Sequence, residues 1–130
     1  MSSALPIGST IVMQGDNTRF ITIASESMLF VNENSQSNAE RFRVIDAGDG
    51  QIALQASSGK YVTIDHSRHG RIQATASTMG VNEKFTVANL PAGGFSVVAN
   101  NGKYIVAAYA SGGVLLATGA EAKKFMYQEL

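Results

Sequence analysis

Apolar residues along this chain recur in short alternating runs broken by turn residues, and no long helical stripe appears. Ile52 and Leu54 point to one face of a first strand, and Val62 and Ile64 to one face of a second. Such period-two spacing is the mark of a half-buried strand. Between them, Ser57-Ser58-Gly59 is a turn signal, as is Asn100-Asn101-Gly102 further on, because Gly and Asn tolerate positive φ. Gly70 and Gly112-Gly113 mark later turns, Ile72 and Ala74 carry a third strand, and Phe85 and Val87 a fourth. Glu121 to Phe125 is helix-like but too short to stand as a helix.

The same pattern occurs three times. Ile11–Ile23 (IVMQGDNTRFITI), Ile52–Ile64 (IALQASSGKYVTI) and Phe95–Ala107 (FSVVANNGKYIVA) align at offsets of 41 and 43 residues. An aromatic recurs at Phe20, Tyr61 and Tyr104, preceded by Arg19, Lys60 and Lys103 and followed by Ile21, Val62 and Ile105. Leu29, Ile72 and Leu115 come next, then Val31, Ala74 and Ala117, and the units end on Phe42, Phe85 and Phe125. A unit of this size cannot bury its apolar face alone, and stacking copies around a common centre buries every face. The expected fold is therefore all-β: a β-trefoil of twelve strands in three pseudo-equivalent four-stranded units. These span about residues 8–45, 46–88 and 89–130 of one domain covering residues 1–130. Phe42, Phe85 and Phe125 are expected at equivalent core positions.

Composition narrows the chemistry. Ten Lys plus Arg balance ten Asp plus Glu among 130 residues, and the three units are each close to neutral. No overall field is present to draw in nucleic acid, so recognition by shape and short-range contacts is expected. The absence of cysteine excludes disulfides, thiolate metal sites and cysteine nucleophiles. Met1 to Gly8 has no basic-then-apolar leader pattern, and no apolar stretch is long enough for a membrane span. A cytoplasmic location, or release by a route that needs no leader, is the expectation.

Gly59-Lys60-Tyr61-Val62 and Gly102-Lys103-Tyr104-Ile105 resemble the fascin-like β-trefoils. In that family a leucine-x-small-x-x-glycine-lysine-tyrosine stretch precedes an acidic-basic-phenylalanine stretch. Leu54 through Tyr61 with Glu83-Lys84-Phe85 shows both, and the third unit has Lys123 in place of the acid. The first unit departs most, with Asn17-Thr18-Arg19-Phe20. The resemblance implies one of two binding roles: contact with actin or another protein, as in filament-linking fascins, or glycan binding, as in β-trefoil lectins. The Gln-x-Trp motif of ricin-type lectins is absent, since the chain has no tryptophan.

Candidate binding residues cluster at the turns. Asp65, His66, Arg68 and His69 form the most distinctive polar segment. Asp65, His66 and His69 are metal-ligand types, but the segment reads most simply as a solvated hairpin loop, with contact to a ligand as the next reading, and no metal or other cofactor is expected. Tyr109 follows Tyr104 by five residues as His66 follows Tyr61, so the two are equivalent, with Ser25 in that place in the first unit. An exposed ring beside turn amides suits a sugar, whose C–H face stacks while its hydroxyls need donors and acceptors. Asn100 and Asn101, with Asp65, are the candidates for that polar part. Scattered carboxylates and the absence of a phosphate-cradling loop argue against an enzyme. Glycan is the leading partner; actin or another protein is the alternative.

Overall fold

The computed structural model describes residues 4–130; Met1, Ser2 and Ser3, the start of the segment judged not to be a leader, lie outside it. Every extended element is a short strand: β1 (Thr10–Gln14), β2 (Phe20–Ile23), β3 (Leu29–Glu33), β4 (Phe42–Gly48), β5 (Gln51–Gln55), β6 (Tyr61–Asp65), β7 (Arg71–Ala76), β8 (Thr86–Asn89), β9 (Phe95–Val98), β10 (Tyr104–Ala108), β11 (Val114–Gly119) and β12 (Met126–Glu129). Glu121 to Phe125 is not helical, and the helical turns are single 3-10 turns of three residues, at Ser25–Ser27, Gln36–Asn38, His66–Arg68, Val81–Glu83 and Tyr109–Ser111. No helix of the described residues is long and apolar enough to cross a membrane.

Strand pairings close a ring. Antiparallel pairs join β1 to β4, β4 to β5, β8 to β9 and β12 to β1. Two single bridges complete it, Ile52 with Phe85 and Phe95 with Phe125. They match the Ile11–Phe42 pair of β1 and β4, so the three terminal phenylalanines make the same backbone contact. The other six strands form hairpins β2–β3, β6–β7 and β10–β11. Each hairpin carries the same irregularity one residue in, at Phe20/Ile21, Tyr61/Val62 and Tyr104/Ile105, where an extra residue on the returning strand bends the pair. A closed ring leaves few open strand edges for another chain to pair with.

The turn between the first two strands of each unit also repeats. Gly15, Ala56 and Ala99 each donate to the carbonyl four residues on, at 2.8–3.0 Å. Asn17, Ser58 and Asn101 each accept from the amide two residues on, at Arg19, Lys60 and Lys103. Closure needs a left-handed residue, which Gly59 (φ 90°) and Gly102 (φ 79°) supply without strain. In the divergent first unit Thr18 takes it at φ 66°, a conformation that a β-branched residue adopts only under strain.

Apolar side chains from all three units meet at the centre. Met13, Leu54 and Val97 form one triplet there, Ile21, Val62 and Ile105 a second, and Leu29, Ile72 and Leu115 a third. Around them remains a small apolar cavity of about 30 Å³. Phe42, Phe85 and Phe125 are 0%, 1% and 4% exposed, as their alignment requires. Burial of each contributes on the order of 1.5–3 kcal/mol.

Candidate functional site

The three turns that open at Ser25, His66 and Tyr109 are the corresponding 3-10 turns of the three hairpins. A short bond network builds the second. The Asp65 carboxylate accepts from the Ser67 amide at 3.0 Å and from its hydroxyl at 2.6 Å, capping the turn. Those bonds, the hydroxyl's first, hold the Asp65 carboxyl below the usual carboxylate range against the opposing effect of desolvation; Arg68 and Arg71 add to them. His69 then takes a left-handed φ of 59° and Gly70 one of 73°. Gly70 lies so close to the third unit that a Cβ there would stand 3.0 Å from the Ala117 carbonyl oxygen. Gly113 repeats this against Val31. The first unit's turn has no glycine; Glu26 and Ser27 adopt left-handed φ of 55° and 57°.

The candidate residues fall into separate places. Arg68 lies between Asp65 at 3.5 Å and Glu26 of the first unit at 3.6 Å. Arg71 reaches the same Glu26 at 3.9 Å, and its Nη1 is buried with no hydrogen-bond partner among the described residues. His66 and Asn100 come together through Asn82, whose Oδ1 accepts from Asn100 Nδ2 at 2.8 Å and lies 3.2 Å from His66 Nε2. Since that oxygen can only accept, the proton of neutral His66 sits on Nε2. Asn101 stays within its own unit: its amide donates to the Ala117 carbonyl at 2.9 Å while its oxygen closes the turn. His69 is exposed on its loop. No three of the acidic and histidine residues described are grouped as a metal would need.

Tyr109 stands elsewhere. Its polar partner is not Asp65, Asn100 or Asn101 but Asp16 of the first unit, whose carboxylate accepts a hydrogen bond from the phenol. Burial first, then that bond and the negative charge of Asp16, push the phenol pKa up to about 12. The residue is nonetheless 51% exposed. It lines two hollows. One, of about 190 Å³, is bounded by Asp16, Lys123, Lys124 and Ala107; the other, wider and about 520 Å³, by Asn17, Arg19, Asn32 and Gly112.

Asp16, Asn82 and the two lysines were not among the sequence-derived candidates. Asp16 was within reach of the repeat, because it occupies in the first unit the position of Ser57 and Asn100. A ring at the end of one unit's second strand meets the turn residue of the following unit: His66 is joined to Asn100 through Asn82, and Tyr109 directly to Asp16. The chemistry therefore gathers at the joints between units.

Residues 31–126, most of the chain, match one protein family, the FRG1-like domain. The chain belongs to the FRG1-like domain family. It is a β-trefoil family, which agrees with the fascin-like trefoil resemblance of the turns. No curated protein matches this FRG1-like chain in sequence. Among solved structures it is similar to the designed 3-fold symmetric protein ThreeFoil, with a TM-score of 0.79 at 18% identity over 93% of this chain and 99% of that one. It is also similar to a Polyporus squamosus lectin bound to a human-type influenza-binding epitope, with a TM-score of 0.78 at 10% identity over 97% of this chain and 50% of the lectin. A Clostridium perfringens endo-β-galactosidase matches with a TM-score of 0.76 at 12% identity, over 94% of this chain and 32% of the enzyme. The FRG1-like chain thus spans half of that lectin and about a third of that enzyme. Likeness at such identities establishes a shared fold, and function has to be argued from the site.

Proposed function

We propose that this FRG1-like chain is a non-enzymatic glycan-binding module. In this reading it is a β-trefoil of three pseudo-equivalent four-stranded units, with saccharides held at the polar-aromatic turns where one unit meets the next. The observation that carries the reading is Tyr109: a half-exposed ring whose hydroxyl is tied to Asp16 across a joint. Tethering fixes the ring before a ligand arrives, so less rotamer freedom is lost on binding. Its face then offers a flat apolar platform for sugar C–H groups, beside the carboxylate and amide of Asp16 and Asn17.

The His66 joint supports the same reading with different groups. Asn82 Oδ1 is taken by His66 and Asn100, which leaves the Asn82 amide to donate and the Asn100 oxygen to accept. A donor beside an acceptor suits neighbouring sugar hydroxyls. Among the described residues, the carboxylates at these joints are not arranged for bond cleavage. Asp16 is committed to Tyr109, Asp65 is held ionised by Ser67, and Glu83 is buried on the Gly80 amide and the Thr63 hydroxyl. A glycoside hydrolase needs a carboxyl kept protonated opposite a second carboxylate. The lectin among the structural matches adds precedent for the fold.

Single sugar sites are weak, and two sites on one clustered target gain roughly 10²–10⁴ in avidity. A glycan array at high protein density is therefore the direct test, with folding verified by far-ultraviolet dichroism. Binding to a defined set of sugars, lost in Tyr109→Ala, is expected. A folded protein that retains no sugar at all rules the proposal out.

A further inference from the structure

The third joint carries a base where the other two carry an acid. In the first unit Glu40 stands before the basic residue and the phenylalanine, and its carboxylate ties the joint to the second unit, accepting from the Ser57 amide and hydroxyl at 2.8 Å each. In the second unit Glu83 holds the same place and is buried against the Gly80 amide at 2.6 Å. In the third unit the place belongs to Lys123, followed by Lys124, and both are exposed. Neither takes part in an ion pair among the described residues. The Glu40 tie to Ser57 gives way, at this joint, to a hollow of about 190 Å³ lined by Asp16, Tyr109, Lys123 and Lys124.

We propose that the Tyr109 joint binds an acidic sugar, a monosaccharide carrying a carboxylate, as part of a glycan; this rests on the glycan-binding reading above. The ring stacks on the C–H face, the Asp16 oxygen takes a hydroxyl, and Lys123 and Lys124 meet the carboxylate. Two cations and one carboxylate leave a local charge of +1, which one acidic sugar neutralises and a neutral one does not. A bare anion gains only from the lysines, and Asp16 repels it. The other two joints have no such pair: Glu40 stands beside Arg41 at the first and Glu83 beside Lys84 at the second, so that an acid offsets each base.

The experiment compares two probes by calorimetry and amide NMR: an oligosaccharide ending in glucuronic acid and its glucose-ended counterpart, with inorganic sulfate as a third arm. The acidic probe is expected to bind roughly three- to tenfold more tightly, the size of one or two exposed charge contacts, and the preference should shrink with added salt. Lys123→Gln/Lys124→Gln should bring the two probes to equal affinity for the variant, removing the preference, while Tyr109→Ala weakens both. Equal affinity for the two probes, or a preference that survives the double substitution, overturns this inference and leaves the glycan reading standing. Sulfate that binds as well as the acidic probe overturns it in favour of a simple anion site. Failure of both probes, together with silence across the array, overturns both readings.

Discussion

At the centre of the molecule, Met13, Leu54 and Val97 replace one another at one repeat position, and Ile21, Val62 and Ile105 at another. On the rim, Ser25, His66 and Tyr109 also share one repeat position, yet differ in size and chemistry: a small hydroxyl, an imidazole and a phenol. The backbone repeats in both places: the same bulge, the same bridge to a phenylalanine, the same turn hydrogen bonds. What differs is the neighbour. An interior side chain faces two counterparts and must be apolar and of nearly complementary volume. A rim side chain faces water on one side, so it need only suit the turn. Repetition thus constrains the centre three times over and leaves the joints free to specialise.

The largest effect is expected where that constraint is strongest. Phe85→Ala removes a fully buried ring beside the central cavity and should cost about 3–5 kcal/mol in urea unfolding. Exposed His66→Ala at the rim should cost under about 1 kcal/mol. If the two variants lose similar stability, the division between centre and rim is wrong.

Next in size come the glycines by which one unit presses on another. Gly113→Ala would impose a left-handed φ of 86° on an alanine and set its Cβ 2.8 Å from the Val31 carbonyl oxygen. About 1–3 kcal/mol should be lost. Gly59→Ala, with a similar φ of 90° but open space around the Cβ, should lose less. The difference between the two, read in the same unfolding assay, measures the close approach between units apart from backbone strain; no difference means that the approach is slack.

Much of this was legible in the chain. The phenylalanine triplet, the alternating strands and the matched positions of Ser25, His66 and Tyr109 all follow from a repeat read in register, because burial and turn chemistry act locally. The joints were harder to see. Tyr109 and Asp16 are 93 residues apart, and their meeting depends on the last unit closing onto the first. The sequence instead offered Asp65, Asn100 and Asn101 as partners for Tyr109, whereas Asp65 bonds Ser67, Asn100 bonds Asn82 beside His66 and Asn101 is spent within its own unit. The ion pairs from Arg68 and Arg71 to Glu26 were hidden for the same reason, since no spacing rule links one hairpin turn to the next.

The smallest effect separates the Tyr109 joint from the His66 joint by titration. The Tyr109 phenol keeps its proton to about pH 12 in the folded chain, whereas an unfolded tyrosine loses it near about pH 10. A folded pKa raised above the unfolded one means that the unfolded chain releases its proton first as the solution becomes alkaline. The contribution of this group is therefore fully present below about pH 10 and is lost as the pH rises through about 12. Relative to Tyr109→Phe, the parent protein should hold a constant stability difference up to about pH 10 and then decline. Tyrosinate absorbance should show a late step that is absent in Tyr109→Phe and present in His66→Phe. Removing the acceptor by Asp16→Ala should move that step to lower pH, because the negative charge and its hydrogen bond help to hold the proton in place. A step that ignores Asp16→Ala would mean that burial alone raises the phenol pKa, and the ring would lose the tether that prepares it for a sugar.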